Sequence, residues 1–276
     1  MAGRDLITAL REGYAAEIIK AGWVTDPRIE RAFATIPREA FLPPPPWTIF
    51  PPGAWMKRTT ADPSDLYADV LVVLDAARGV NNGQPSLHAA WLAAVDPKPG
   101  ETAIHVGAGS GYYTAILSFL VLPDGAVHAY EIDPWLADLA ARALGPCEHV
   151  SVHPVTALGG PLPPADVIYV NAGLSAPDAA WLEALQPGGR LIMPWQPVAP
   201  GGVTLKLSRV DSGFRAEPST AVGFVDCVGV TSAQAGPPPR PDAVENTRSA
   251  WLVRQRAPDD TATAVYGEVW FSSDPV

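Results

Sequence analysis

Ala103-Ile104-His105-Val106-Gly107-Ala108-Gly109-Ser110-Gly111 is a short apolar run that ends in three glycines at alternate positions. Glycine permits backbone angles closed to other residues, and its missing side chain lets a ligand lie against bare N–H groups. The segment that follows, Tyr112 to Leu122, reads as the start of a helix. A second apolar run, Ala126-Val127-His128-Ala129-Tyr130, ends in Glu131-Ile132-Asp133. Glu131 lies 20 residues beyond Gly111. At that spacing an acidic residue at the tip of the next strand reaches ribose hydroxyls. Together the two signals predict a strand–helix–strand unit that binds a nucleoside-containing cofactor.

On the C-terminal side the pattern continues with a helix from Pro134 to Leu144 and strands at Val150 to Val155 and Asp166 to Asn171. A helix from Pro177 to Leu185, a turn at Gln186 to Arg190 and a strand at Leu191 to Pro194 come next. Strands that alternate with helices imply parallel βαβ units, so the expected fold is α/β, a doubly wound and mostly parallel sheet. Val203, Leu205 and Leu207 alternate with polar residues and predict an antiparallel strand at its end. On the N-terminal side, residues 4–21 have helical spacing. A second helix starts at Asp26-Pro27, carries an apolar stripe of Ile29, Ala32, Phe33 and Ile36, and stops before Pro37. Residues 41–80 hold a proline-rich loop and a strand-like run from Tyr67 to Leu74. The polar turn Asn81 to Ser86 leads into a helix from Leu87 to Val95, and Ser86 either caps that helix or lies over the cofactor. Trp251 to Val253 and Val265 to Phe271 look like strands of a C-terminal extension. The organisation expected is a helical and proline-rich region at 1–80, a nucleotide-binding core at 81–210 and a β-rich extension at 211–276.

The chain has 276 residues, 47% of them apolar and 17% charged, which suits a globular protein with a substantial core. Its net charge of −10 argues against a nucleic-acid partner, because phosphates need a basic surface. No apolar run approaches the roughly 18 residues that span a bilayer. Charged residues interrupt the N-terminus, so a cytoplasmic protein without a membrane partner is expected. Cys147 and Cys227 have no paired spacing, so they predict two buried reduced thiols rather than a disulfide or a metal site. Prolines at 43–46, 51–52, 161–164 and 237–241 read as stiff punctuation between elements.

Gly-x-Gly-x-Gly is similar to motif I of the class I S-adenosylmethionine (SAM) methyltransferases. Several longer phrases resemble the protein L-isoaspartate O-methyltransferase family over about residues 5–230. They are Ile36-Pro37-Arg38-Glu39-Ala40-Phe41-Leu42-Pro43, Gly83-Gln84 before a serine, and Gly107-Ala108-Gly109-Ser110-Gly111-Tyr112-Tyr113-Thr114-Ala115-Ile116-Leu117. Glu131-Ile132-Asp133 and Leu185-Gln186-Pro187-Gly188-Gly189-Arg190-Leu191-Ile192-Met193-Pro194 complete the set. The resemblance implies a Rossmann-like fold, SAM as methyl donor, and a carboxylate acceptor on a peptide or protein; a small-molecule acceptor is the competing expectation. It implies cofactor contacts at His105, Gly107, Ala108, Gly109, Gly111, Tyr112, Glu131, Ile132, Thr156, Ala157 and Asn171. It places Ser86 and Gln84 at the acceptor.

Three departures from the family pattern stand out. His105 takes the place of a motif I acid, and reads either as a core histidine or as a polar contact near the methionine moiety. Val155-Thr156-Ala157 replaces Gly-Asp-Gly after the third strand. The Thr-Ile-Ser-x-Pro phrase is shortened to Pro85-Ser86-Leu87-His88, where His88 reads as a helix-surface histidine first and as a contact to the acceptor second. These changes, with Trp47, Phe50 and Trp55 in the aromatic loop, leave room for a different acceptor on the same scaffold, or for a module that binds without catalysis. A carboxylate acceptor is already ionised at neutral pH, so methyl transfer to it requires no general base.

Overall fold

The computed structural model describes residues 2–51, 56–197, 201–229 and 238–276. In chain order the helices and strands begin with α1 (Ala2–Ala21), α2 (Pro27–Thr35), β1 (Trp47–Phe50), β2 (Arg58–Thr60), β3 (Leu71–Asp75), β4 (Val80–Asn81) and α3 (Pro85–Val95). Then come β5 (Thr102–Val106), α4 (Tyr112–Val121), β6 (Ala126–Tyr130), α5 (Pro134–Leu144), β7 (Val150–His153), β8 (Ala165–Val170), α6 (Ala179–Ala184) and β9 (Leu185–Trp195). The chain finishes with β10 (Gly202–Arg209), β11 (Phe214–Val222), α7 (Ala243–Asn246), β12 (Ser249–Leu252), β13 (Ala262–Tyr266) and β14 (Val269–Ser272). They fall into two compact units, one of residues 1–100 and 108–154, the other of residues 101–107 and 155–276.

The first unit is built on short-range signals that the residues dictate. Asp26 Oδ1 accepts the Arg28 N–H at 2.8 Å and Pro27 fills the first helical position, so α2 starts as expected. Pro37 forbids helical angles at Ile36, which turns extended and ends the helix. Tyr14 of α1 packs edge-on to Phe33 and Tyr67, with ring centroids 6.1 and 5.7 Å apart. The end of α1 runs so close to α3 that a Cβ on Gly22 would lie 2.7 Å from the Ser86 carbonyl oxygen. β1 and β2, expected as loop, join β3, which lies in the strand-like run expected at Tyr67 to Leu74, and β4 in a small antiparallel sheet ordered β2-β1-β3-β4. Its core is Leu42, Trp47, Ile49, Leu66, Val70 and Val72. Trp47 is therefore a core residue, its indole N–H bound to the Pro43 carbonyl at 2.7 Å, and does not shape a pocket. Trp55 lies outside the described residues. Parallel strands β6 and β7 pair Val127 with Val150 and Tyr130 with His153, and α5 is capped by Asp133.

The second unit is a sheet ordered β13-β14-β12-β11-β10-β9-β8-β5. β5, β8 and β9 are parallel, with Ile104 beside Ile168 and Tyr169 beside Ile192. Ala103, Ile104, Val167, Ile168, Tyr169 and Val170 are all fully buried, as parallel strands covered on both faces must be. The antiparallel partner predicted from Val203, Leu205 and Leu207 is β10, which pairs with both β9 and β11. Gln186 to Arg190 is not a separate turn. It belongs to β9, where a register shift opposite Ala165 to Val167 takes up the extra residues and Gly188 sits at φ +78°. The single run predicted at Val265 to Phe271 is two strands folded back on each other, with Tyr266 opposite Val269. No helix among the described residues is long and apolar enough to cross a membrane.

Candidate functional site

Gly107, Gly109 and Gly111 have φ of +70°, +57° and +93°, so the chain leaves β5 through three left-handed residues. At Gly111 nothing larger fits: a Cβ would lie 3.0 Å from Leu144 Cδ1 and 3.3 Å from Ala140 Cα on α5. Gly111 is also the N-cap of α4 and has no side chain to offer, so the first-turn N–H groups receive no side-chain cap. In front of Gly109 there is open space. Among the described residues, a Cβ there would meet only Leu74 Cδ1, at 3.9 Å.

Glu131 closes this loop from β6. Its Oε2 accepts the Gly109 N–H at 2.7 Å, and its Oε1 accepts the Asp133 N–H at 2.9 Å. A carboxylate has about four acceptor sites, so two backbone donors leave capacity for a pair of ligand hydroxyls. Burial pushes the Glu131 carboxyl above its usual range, while the hydrogen bonds from Asp133 and Gly109 pull it back. Ala108 donates its N–H to the Tyr130 carbonyl at 3.1 Å, which fixes the loop to the end of β6. Ile132 beside Glu131 is 45% exposed, an apolar surface open to a flat ring. The Tyr112 side chain is turned away into the helical packing: its hydroxyl meets that of Tyr14 at 3.4 Å and the Arg38 guanidinium lies over its ring. Only the Tyr112 backbone is left to face a ligand.

Gln84 and Ser86 are drawn together by a residue that the sequence reading missed. Asp69 accepts the Ser86 hydroxyl at 2.6 Å, the Ser86 N–H at 2.8 Å and the Gln84 Nε2–H at 2.8 Å. Ser86 sits inside α3, whose N-cap is Gln84, so it is not the simple cap that was one of its two readings. His88 is not a surface residue either. It is 1% exposed and stacked on Tyr113, ring centroids 3.6 Å apart. A Cβ on Gly83 would lie 2.2 Å from His88 Nε2, so the imidazole fills the space of a side chain at 83. Tyr113 in turn donates its hydroxyl to the Gly83 carbonyl at 3.3 Å, which ties this segment to the first turn of α4. No sequence signal links Asp69 to a partner 17 residues away, whereas Tyr113 was quoted in motif I without a role.

In the second unit, His105 Nε2 accepts a hydrogen bond from Asn171 Nδ2 at 2.8 Å. His105 is fully buried, and burial drives its pKa down to about 3, so the ring is neutral. The Asn171 N–H is bound to the Val106 carbonyl at 2.8 Å, and its own carbonyl lies 3.5 Å from where a Cβ on Gly107 would stand. These residues mark the carboxyl ends of the parallel strands β5 and β8, where open α/β sheets bind ligands. Thr156 is exposed, with its hydroxyl accepting the Leu158 N–H at 3.1 Å, and Ala157 is buried with its carbonyl on the Trp181 indole at 2.8 Å. Neither Cys147 nor Cys227 is in a disulfide, and both are half-buried rather than buried.

The family profile of protein-L-isoaspartate(D-aspartate) O-methyltransferase (PCMT) matches residues 11–232. Protein-L-isoaspartate O-methyltransferase of Aeropyrum pernix is 33% identical over 183 residues, 64% of this chain and 64% of its own length. Protein-L-isoaspartate O-methyltransferase 1 of Rhodopseudomonas palustris is 32% identical over 246 residues, covering 87% of this chain and 92% of its own. A solved protein-L-isoaspartate O-methyltransferase superposes with a TM-score of 0.69 at 21% identity, over 96% of this chain and 88% of the other, so the two share the Rossmann-like α/β fold. With the glycine loop, Glu131 and the matched profile in agreement, the chain belongs to the protein-L-isoaspartate(D-aspartate) O-methyltransferase family of SAM-dependent methyltransferases.

Proposed function

We propose that this chain transfers the methyl group of SAM to a carboxylate of an isoaspartyl residue in a peptide or protein. One observation carries the reading: Glu131, buried and aimed by Gly109 and Asp133, beside an uncapped α4 N-terminus and a glycine loop with open space in front of it. Glu131 would hold the ribose hydroxyls, and Ile132 would lie against the base. The α4 N–H groups would favour an anionic group of the ligand. When bound, SAM supplies a methyl group on a positively charged sulfur, open to displacement in line. The acceptor carboxylate is ionised at neutral pH, so the protein's part is to align the oxygen with the methyl and keep water out. No proton transfer is required of Ser86 or Gln84. Held by Asp69, they would orient the acceptor. A cytoplasmic setting, in which both thiols remain reduced, suits this activity.

A second reading keeps the chemistry and changes the acceptor to a specialised peptide or a small molecule. It is favoured by His88, whose ring fills the space beside Gly83 where a side chain would otherwise stand. The test is calorimetric titration with S-adenosylhomocysteine, followed by measuring methyl-ester formation on isoaspartyl and matched aspartyl peptides. Glu131→Ala should weaken binding by about 1–3 kcal/mol through lost ribose hydrogen bonds. Unchanged affinity would remove Glu131 from the site. Binding without turnover of either peptide would favour the second reading.

A further inference from the structure

His128 and His153 stand side by side on the parallel strands β6 and β7, outside the site described above. Side chains alternate between the two faces of a strand. On β6, Val127 and Ala129 are fully buried, which sends His128 and Tyr130 to the other face. The register sets Ser151 of β7 beside His128, and His153 beside Tyr130. His128 Nδ1 and His153 Nε2 meet at 3.3 Å, and both residues are half-buried. Tyr130 and His128 both stack on the His153 ring, with centroids 4.6 and 5.5 Å away. The other three of the five histidines are placed differently. His88 and His105 are buried, and His149 Nε2 lies 2.6 Å from the Ser118 hydroxyl.

Between two neutral rings such a contact is a single hydrogen bond, with a proton on one facing nitrogen and a lone pair on the other. The same spacing suits a metal ion. Two imidazole nitrogens, each about 2.0–2.1 Å from a tetrahedral cation, lie about 3.3–3.4 Å apart. On binding, the ring that donates in the free pair carries its proton on its outer nitrogen instead. Both facing nitrogens then offer lone pairs, and no proton is lost overall. Two strands in register fix where the ligands stand, and the Tyr130 stack restrains the His153 ring, so little ordering is left for the ion to impose. Among the described residues no third His, Cys, Asp or Glu completes a larger set. A structural zinc site has four protein ligands, whereas two leave half of the coordination sphere to water, which makes the site open and reversible. We propose that His128 and His153 form a two-histidine site for a divalent transition-metal ion of the kind that prefers imidazole: zinc, copper or nickel. A bound ion fastens β7 to β6 beside the strand tip that carries Glu131, whose N–H is bonded to the His153 carbonyl at 3.1 Å.

The site does not depend on methyl transfer, so its test uses the metal alone. Calorimetric titration of the full chain, carrying no histidine tag, with zinc chloride should show one ion per chain. Magnesium chloride should show none, because a hard cation prefers oxygen ligands. The imidazole proton resonances of His128 and His153 should move or broaden with zinc, while those of His88, His105 and His149 stay in place. His128→Asn and His153→Gln keep a polar group between the strands and remove a ligand. Each should weaken zinc by about tenfold or more, since a lost ligand costs at least what a lost outer-shell partner does. His149→Gln should bind zinc as the wild type does. If a ligand variant fails to fold by thermal melting, the wild-type imidazole resonances decide the question alone. No binding at millimolar zinc, binding that survives the combined His128→Asn and His153→Gln change, or shifts centred on His149 would each overturn the assignment.

Discussion

His105 makes the stability of this protein depend on acid in a way that one substitution isolates. In an unfolded chain its pKa is the ordinary 6.5; folded and fully buried, it falls to about 3. Between those values the unfolded state carries a proton that the native state cannot take up. Stability is therefore fully present above pH 6.5 and is lost as the pH falls towards 3, at about 1.4 kcal/mol per pH unit. Across the whole window the loss is roughly 5 kcal/mol, and between pH 6.5 and 4.5 it is roughly 2–3 kcal/mol. His105→Asn removes the titration while keeping an amide that can meet Asn171. The assay is urea unfolding of both proteins at half-unit steps from pH 7 to 4.5. Carboxylates and the remaining histidines titrate in both, including His128 and His153, whose pKa values burial also lowers. The difference between the two stability curves therefore reports His105 alone. The substitution shifts the variant's curve by a constant, and the gap between the curves should change by roughly 2–3 kcal/mol on going from pH 6.5 to 4.5. Parallel curves would mean that the folded protein admits a proton at His105, and would refute the neutral, fully buried ring.

Two further substitutions test the packing around the site. Arg38 is fully buried and donates to the Leu66 and Val70 carbonyls at 2.8 and 2.6 Å and to Asn82 Oδ1 at 3.1 Å, bracing the loop that carries Asp69. Arg38→Met should cost about 3–5 kcal/mol, because it strands those acceptors, and should lower amide protection from Leu66 to Asn82 in hydrogen exchange; a loss under about 1 kcal/mol would refute the bracing role. Gly111→Ala combines φ +93° with a Cβ 3.0 Å from Leu144 Cδ1 and 3.3 Å from Ala140 Cα, so it should cost about 1–3 kcal/mol and lower the Tm. An unchanged Tm would show that the loop has a second conformation open to side chains.

The parts of the fold legible in the sequence are those whose signals are local. Asp26-Pro27 starts α2 and Asp133-Pro134 starts α5, each with a side-chain oxygen on the backbone N–H groups that follow. The parallel strands β5, β6 and β8 announced themselves as short, mainly apolar runs. What escaped was structure decided by distant partners. β1 and β2 lie among prolines and read as loop, yet Ile49 pairs with Arg58 on one side and Val72 on the other. β11 carries Pro218, and its alternation fades after Ala216, so only its pairing with β10 and β12 makes it a strand.

The candidate site divides along the same line. Glu131 and the glycines could be found because the spacing between a strand tip and a helix start is fixed by the chain itself. His88 could not, because the meaning of that histidine depends on Gly83 having no side chain and on Tyr113 arriving from α4 to stack against it. His105 and Asn171 lie 66 residues apart, and a reading of either alone leaves its role open. Taken as a pair they answer each other: the His105 Nε2 and the Asn171 amide nitrogen lie 2.8 Å apart, so each buried polar group has the other as a partner. A departure from the family pattern at position 105 is therefore coupled to the residue at 171. Variants that restore an acid at 105 should be made together with a change at 171, since an acid beside the amide would engage its N–H₂ as His105 does, but would place a charge at a fully buried position.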